Sequence, residues 1–162
     1  MPSYKAPVDD VLFLLNDVFH IERFGNVPSF AEATPDTIAA ILSEGAKFCE
    51  QTLAPLNRVG DIEGCKRNPD GSVTTPKGFK EAYRALSEGG WIGLAMEPEY
   101  GGQGLPHFLT AVMNEFMTSS NMAFSMYPGL MQGAYFALRL HGNEQQKNTY
   151  LPKIASGEWA AT

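Results

Sequence analysis

The stretch GNEQQKNTYLPKIASGEWAAT, residues 142–162, decides how the rest of the chain is interpreted. Asn143 with Gln146 three residues later is the capping-box pattern that opens a helix, and Pro152 is expected to interrupt that helix. The last residues, from Trp159 to Thr162, read as the start of a strand that has no partner in the chain. We therefore expect the chain to be one piece of a larger protein.

Upstream, residues 86–106 read LSEGGWIGLAMEPEYGGQGLP, and from Trp91 to Pro106 they predict an ordered loop between helices. Glycines and prolines set its backbone, while Trp91 and the apolar residues after it anchor it. The turn from Gly101 to Gly104 has some likeness to a phosphate-binding loop, but His107 stands where the dinucleotide fingerprint has its third glycine. Because no strand precedes this turn, we interpret it as a tight turn between helices.

The titratable side chains give no catalytic constellation. Paired carboxylates divide acid and base roles only if burial separates their pKa values, and nothing in the sequence indicates such burial. We interpret three carboxylates as solvated loop charges: Glu88, Glu97 and Glu99. We interpret the three histidines as partly exposed residues at helix ends: His20, His107 and His141. No catalytic residue and no metal ligand is predicted.

Apolar residues at helical spacing predict two helices in the first third of the chain. The first runs from about Val8 to Phe19. The second begins with Thr34 as N-cap and Pro35 in the first turn, and Pro55 is expected to end or kink it. Residues 57–74 are polar and glycine-rich, so we expect a surface connection there, with a turn at Asp70 and Gly71.

The remaining helices follow from similar signals. A third helix is predicted from Thr75 and Pro76 to a left-handed stop at Gly89 or Gly90. A fourth follows the loop and is expected to end near Asn121. Residues 122–140 are apolar on nearly every side, which is the pattern of a central helix packed all round. The sequence therefore predicts an all-α fold, an up-and-down bundle of about five to six helices.

Composition excludes several classes of function. The 162 residues include 12 basic and 18 acidic side chains, a net charge of −6, so the chain lacks the basic face that nucleic acids require. Cys49 and Cys65 are isolated thiols, which favours a reducing compartment and disfavours structural zinc. The sequence has no secretion signal and no membrane-length apolar run. We therefore expect a cytoplasmic protein that binds no nucleic acid and has no membrane span.

Together, residues 86–106 and 142–162 resemble the N-terminal helical domain of the acyl-CoA dehydrogenases, flavoenzymes that oxidise acyl-CoA thioesters to enoyl-CoA. The opening YKAPVDDVLFLLNDVF, residues 4–19, further resembles the longer members, including the 3-methylmercaptopropionyl-CoA dehydrogenase group. The resemblance implies an N-terminal extension with a short helix over residues 1–33 and the helical domain over residues 34–158. Residues 159–162 would then begin a middle β-domain.

In that family FAD lies between later domains, and the glutamate that removes the α-proton is in the C-terminal domain. The resemblance therefore implies that this chain holds no FAD by itself and is not catalytic alone. It also implies a homo-oligomer that passes electrons to electron-transferring flavoprotein. The apolar helix and Trp159 are expected to expose surface meant for the β-domain, so the chain alone should self-associate.

The expected ligand-contacting segment lies around Pro128, where small and flexible apolar residues leave room beside the helix. From the residues alone, a packed core helix is the favoured interpretation. The resemblance instead implies that this segment lines the acyl-chain pocket, through Phe124, Ser125, Met126, Tyr127, Gly129, Leu130 and Gly133.

Two other functions stay open from the sequence. One is a non-enzymatic helical module whose apolar helix packs on a partner protein. The other is a domain of an acyl-CoA oxidase, which shares this helical domain but passes electrons to oxygen. The sequence beyond Thr162 and the oxygen reactivity of an intact enzyme would separate these alternatives.

Overall fold

The structure of this chain is a computed structural model and describes residues 3–161. The predicted all-α, up-and-down fold is confirmed for this part of the chain, where helices build the core and the only sheet has two short strands. The helices are α1 Val8–Phe13, α2 Pro35–Phe48, α3 Ala54–Glu63, α4 Phe79–Glu88, α5 His107–His141 and α6 Glu144–Ala155. The strands are β1 Lys66–Arg67 and β2 Val73–Thr74.

Helix α5 folds back on itself at Asn121, whose backbone has φ −157° and ψ 86°. The Nδ2 of Asn114 donates to the Oε1 of Gln132 at 3.4 Å, although these residues are 18 positions apart. In a straight helix they would be about 27 Å apart. Residues 107–120, here called the first arm, therefore run antiparallel to residues 122–141, the second arm. The predicted helix end near Asn121 is confirmed.

The side chain of Asn121 explains why the chain turns at this residue. It is almost completely buried. Its Oδ1 accepts the N–H of Phe124 at 3.0 Å, which caps the second arm, and its Nδ2 donates to the carbonyl oxygen of Leu53 at 3.1 Å. One side chain thus ends one helix, begins the next and fixes both to a third segment.

The second predicted helix begins as expected but continues further. Thr34 caps α2 by accepting the N–H of Thr37 at 3.2 Å. Pro55 does not end the helical path, because a π-helical turn over Cys49–Leu53 leads into α3, and Pro55 lies in the first turn of α3. Pro55 has no N–H to continue the α-helical ladder, but the π-helical turn before it already departs from that ladder. Residues 57–63 therefore belong to helix α3 and not to a connection, although none of them is buried, as expected for the surface.

Residues after α3 form a short hairpin around the predicted turn. The turn at Asp70 and Gly71 joins β1 to β2, which pair antiparallel. Ser72 donates from its backbone N–H and its hydroxyl to the carboxylate of Asp70, and these bonds lower the pKa of Asp70. This local hydrogen bonding explains why the turn could be predicted from a few residues.

Helix α4 begins later than predicted. Thr75 and Pro76 do not cap it; the helix starts at Phe79, after Gly78 in a left-handed conformation with φ 86°. Pro76 is buried instead, so packing rather than capping decides its position. The stop is as predicted, because Gly90 has φ 72° and the N–H of Trp91 donates to the carbonyl of Leu86.

Helix α6 confirms the capping box and corrects the proline. Both bonds of the box between Asn143 and Gln146 are 2.9 Å long. Pro152 does not interrupt the helix, which continues to Ala155. Burial of Leu151 and Ile154 on either side of Pro152 offsets the cost of the proline. Residues 159–161 form no strand, and Thr162 lies outside the described residues, so the strand stays a prediction.

The N-terminal helix is also present. Helix α1 continues as a π-helical turn over Leu14–Val18, which matches the predicted helical segment. Val11 and Leu15 are buried, and the carboxylate of Glu50 accepts the backbone N–H of Ala6 at 3.0 Å. The N-terminal segment is thus docked on the helices. Within residues 3–161, no helix has the length and apolar character that crossing a membrane requires.

The two cysteines are expected to differ in reactivity. Cys49 is fully buried, and burial raises the pKa of its thiol to about 12, whereas Cys65 is exposed. Because the thiolate is the reactive form, iodoacetamide at pH 8 should alkylate Cys65 and leave Cys49 intact until the protein unfolds, as measured by mass spectrometry. Equal rates of alkylation at both thiols in the folded protein would contradict this packing.

The same shift makes stability depend on pH. Since the pKa of Cys49 is raised in the folded state, the neutral buried thiol contributes fully to the free energy of unfolding below the ordinary thiol pKa of about 8.5. The contribution is lost as the pH rises through about 12, because the unfolded thiol ionises first.

Candidate functional site

The second arm of α5 has one buried face and one exposed face. Four residues of this arm are buried in the core: Phe124, Pro128, Met131 and Tyr135. On the opposite face, large apolar side chains are exposed: Met122 by 61 %, Met126 by 57 %, Leu130 by 51 % and Leu140 by 64 %. The prediction of a helix packed all round is therefore wrong within the described chain, because no element of residues 3–161 covers this side. The predicted exposure of apolar surface is observed.

The glycines of this arm lie beside those exposed side chains. At Gly129 and at Gly133, an added Cβ atom would meet no heavy atom within 4 Å. Neither glycine is needed for a close approach of two segments inside the described chain. Together with Met126 and Leu130 they leave a flat, apolar strip, here called the exposed strip of the second arm.

The structure does not bring all seven predicted site residues onto one surface. At about 100° per residue, Phe124 and Gly133 lie on opposite sides of the helix. Ser125 is buried between the arms, where its hydroxyl donates to the carbonyl of Met122 and accepts from the hydroxyl of Thr118. The four residues of the strip form one group, and Phe124 and Tyr127 contribute to a second feature beside it.

That second feature is an apolar groove of about 520 Å³ on the flank of the second arm. Its walls come from α3, the segment around the hairpin, α4 and the second arm. Two aromatic pairs build it: Phe79 with Phe124, with ring centroids 6.0 Å apart, and Tyr83 with Tyr127 at 5.3 Å. The groove meets the exposed strip at Tyr127, and its volume lies in the range of small-molecule pockets.

Phe79 and Tyr83 were not predicted as site residues. In the sequence they belong to the apolar face of α4. Their spacing of four residues places both aromatic rings on one side of that helix, which is the signal that was available. The hydroxyl of Tyr83 donates to the carbonyl of Gly157 at 3.0 Å, and burial raises the pKa of this tyrosine.

The three carboxylates that were predicted to be solvated differ in their exposure and contacts. Glu88 and Glu99 are exposed, as predicted, but the prediction of a solvated charge is wrong for Glu97. The hydroxyl of Tyr135 donates to the Oε2 of Glu97 at 2.6 Å and accepts the backbone N–H of Glu97 at 3.2 Å. Arg139 forms an ion pair with the other carboxylate oxygen. Burial and the bond to Glu97 raise the pKa of Tyr135 above its ordinary range.

This arrangement has a structural role. Tyr135 and Arg139 belong to the second arm, so three polar contacts at one glutamate fix the loop to the arm that carries the exposed strip. The histidines fit their interpretation: His20, His107 and His141 are exposed at helix ends.

The glycine turn of the loop lets two backbone segments pack in direct contact. Gly101 and Gly104 have φ values of 87° and 65°. A Cβ at Gly102 would lie 2.1 Å from the carbonyl oxygen of Met96, so the backbones touch at this point. A phosphate has no cradle here, and the interpretation as a tight turn between helices is supported.

Comparison with known proteins places these features in context. Residues 35–158 match the family described as Acyl-CoA dehydrogenase, N-terminal domain. Over 99 % of this chain, it is 36 % identical to 3-methylmercaptopropionyl-CoA dehydrogenase from Ruegeria pomeroyi and 31 % identical to a butyryl-CoA dehydrogenase from Syntrophomonas wolfei. A broad-specificity linear acyl-CoA dehydrogenase from Mycobacterium tuberculosis is 29 % identical over the whole chain.

The matches cover 27 %, 27 % and 26 % of these three proteins, respectively. The chain thus spans about a quarter of the length of the curated relatives it matches.

Proposed function

The chain belongs to the acyl-CoA dehydrogenase family, as its N-terminal helical domain, and on that basis we propose that it forms a wall of the acyl-chain site in an enzyme that oxidises acyl-CoA thioesters. The reaction is the α,β-dehydrogenation of the thioester. The proposed acyl-contacting surface is the exposed strip of the second arm, with the groove at Tyr127 beside it. Catalysis itself is assigned to parts of the protein outside this chain.

The observation that carries this proposal is the exposed strip. Exposed Met126 and Leu130 lie next to two glycines, so an extended hydrocarbon chain has room to lie against the helix. Each square ångström of apolar surface removed from water contributes about 25 cal/mol, so a saturated chain is a favourable occupant. A wall of this kind also excludes water from the reacting thioester.

The family implies FAD as the cofactor, and residues 3–161 do not fit it. The glycine turn is the nearest sequence match to a phosphate loop, but backbone contact between Gly102 and Met96 fills the space that a phosphate would need. We propose that FAD is bound by other parts of the intact enzyme, that electron-transferring flavoprotein accepts the electrons, and that the enzyme is a homo-oligomer.

The proposed enzyme class is tested on the native polypeptide. Its intact mass, the absorbance of bound flavin and the oxidation of acyl-CoA with an artificial electron acceptor are measured together. A flavoprotein several-fold heavier than 17.7 kDa that oxidises acyl-CoA supports the proposal. A native protein of this mass, without flavin and without affinity for acyl-CoA, contradicts it and favours the helical interaction module.

We expect the isolated chain to associate through the exposed strip. The double variant Met126→Lys with Leu130→Lys should sediment as a smaller species than the wild type, because it places two charges on the apolar surface. Its free energy of unfolding should stay within about 0.5 kcal/mol of the wild-type value, since both replaced side chains are more than half exposed.

A control is Ile62→Lys on α3, where an apolar side chain that is 67 % exposed lies outside the strip. This variant should sediment like the wild type. If the control reduces association as much as the double variant does, the strip is not the associating surface.

A further inference from the structure

The apolar groove on the flank of the second arm is continuous with the exposed strip. The two meet at Tyr127, whose side chain is more than half exposed. At about 100° per residue, Leu130, Ala123 and Tyr127 follow one another around the helix, and no buried residue of the arm lies between them. A hydrocarbon chain that runs along the strip toward the start of the second arm therefore reaches the groove.

The walls of the groove suit a hydrocarbon. Four aromatic side chains line it: Phe79, Tyr83, Phe124 and Tyr127. Of the described lining residues only Lys80 is charged, and it is exposed. Much of the wall is helical, so its backbone groups are already bonded within α3, α4 and the second arm. An extended peptide would bring polar backbone groups that find few partners there, whereas a hydrocarbon brings none.

Tyr83 holds one wall of the groove in place. Its hydroxyl donates to the carbonyl of Gly157 at 3.0 Å, and its ring packs edge-on against that of Tyr127. Because these contacts order the wall before a ligand binds, little further ordering is needed on binding.

We infer that the groove takes the distal end of a long acyl chain, so that the substrates of the intact enzyme include long-chain acyl-CoA thioesters. This rests on the proposed function, because the strip holds the part of the chain nearer the thioester. From Gly133 back to Met126 the strip is about 10 Å long. A butyryl group is too short to extend past a surface of that length. A palmitoyl group continues beyond it into the groove of about 520 Å³.

Cys65 reports whether the groove is filled, because its exposed thiol belongs to the lining. The native polypeptide that carries this chain is treated with iodoacetamide at pH 8, and mass spectrometry gives the rate of alkylation at Cys65. No electron acceptor is added, so turnover does not consume the thioesters. Palmitoyl-CoA at about ten times its Kd should slow the reaction about tenfold, because the bound chain covers the thiol. Butyryl-CoA at the same multiple of its own Kd should leave the rate unchanged.

Cys49 is the internal control, because it is fully buried and reacts only if the ligand unfolds the protein. A second control adds excess butyryl-CoA to the sample with palmitoyl-CoA. The rate at Cys65 should then return to its value without ligand, since both thioesters compete for the strip. Protection that persists would mean that the groove binds hydrocarbon independently of the acyl site, which overturns the inference.

The inference and the proposed function fail in different ways. If the enzyme oxidises palmitoyl-CoA but Cys65 reacts equally fast with and without it, the groove is not part of the acyl site, although the proposed function stands. A Cys65 thiol that is unreactive without any ligand means that another segment of the polypeptide fills the groove, which also overturns the inference. So does an enzyme that oxidises butyryl-CoA but not palmitoyl-CoA. If neither thioester binds or is oxidised, the proposed function itself is wrong.

Discussion

Replacing Asn121 with alanine is expected to lower the free energy of unfolding by about 3 kcal/mol, because two buried hydrogen bonds are lost at once. The cap on Phe124 contributes about 1–2 kcal/mol, and the bond to the Leu53 carbonyl contributes about 1 kcal/mol. Urea unfolding with circular dichroism measures the loss, with the m-value as a check on compactness.

Asn114→Ala is the matched control for this prediction. Asn114 lies in the same first arm, is half-buried and makes one longer side-chain bond, to Gln132 at 3.4 Å. Its replacement should cost less than about 1 kcal/mol. If Asn121→Ala costs no more than Asn114→Ala, the reversal of α5 does not depend on the Asn121 side chain.

Tyr135→Phe is expected to cost about 2 kcal/mol, because a hydrogen bond to a carboxylate is stronger than one between neutral groups. Tyr135 is fully buried, and its hydroxyl is bonded to both the carboxylate and the backbone N–H of Glu97. The loss should also appear as faster hydrogen exchange at the Glu97 amide, since that amide loses its acceptor.

The pH dependence of stability provides an independent readout for Tyr135. Its pKa is raised in the folded state by burial and by the bond to Glu97. The neutral phenol therefore contributes fully below the ordinary tyrosine pKa of about 10, and this contribution falls as the pH rises above that value. Part of the loss of wild-type stability above pH 10 should be absent in Tyr135→Phe.

Tyr150→Phe serves as the control, because Tyr150 is exposed on α6 and its hydroxyl makes no hydrogen bond within residues 3–161. That variant should keep the stability of the wild type to within about 0.5 kcal/mol. An equal effect of both substitutions would mean that the contact between Tyr135 and Glu97 does not hold the loop.

Much of the fold could be predicted because its signals are local. The caps at Thr34 and Asn143 and the stop at Gly90 each depend on a few neighbouring residues. The effects of Pro55 and Pro152 could not be predicted, because they are not local. Whether Pro55 or Pro152 ends a helix depends on the packing of the residues around it, and that packing is set by distant segments.

The candidate site was only partly predictable. The apolar run of residues 122–140 indicates a helix, but a sequence cannot show which side of that helix a neighbour covers. The contact between Glu97 and Tyr135 joins residues 38 positions apart, and neither residue type signals the other. Phe79 and Tyr83 reach the groove only because α4 packs beside the second arm. These features depend on tertiary arrangement.

The exposed strip of the second arm is the proposed contact surface for the acyl chain. Photo-crosslinking tests this contact. The native polypeptide that carries this chain is irradiated with an acyl-CoA whose hydrocarbon part bears a diazirine. The labelled peptides are then identified by mass spectrometry. We expect adducts within residues 126–133, at Met126 or Leu130, that unlabelled acyl-CoA competes away. Competable adducts found only outside residues 122–140 would contradict it.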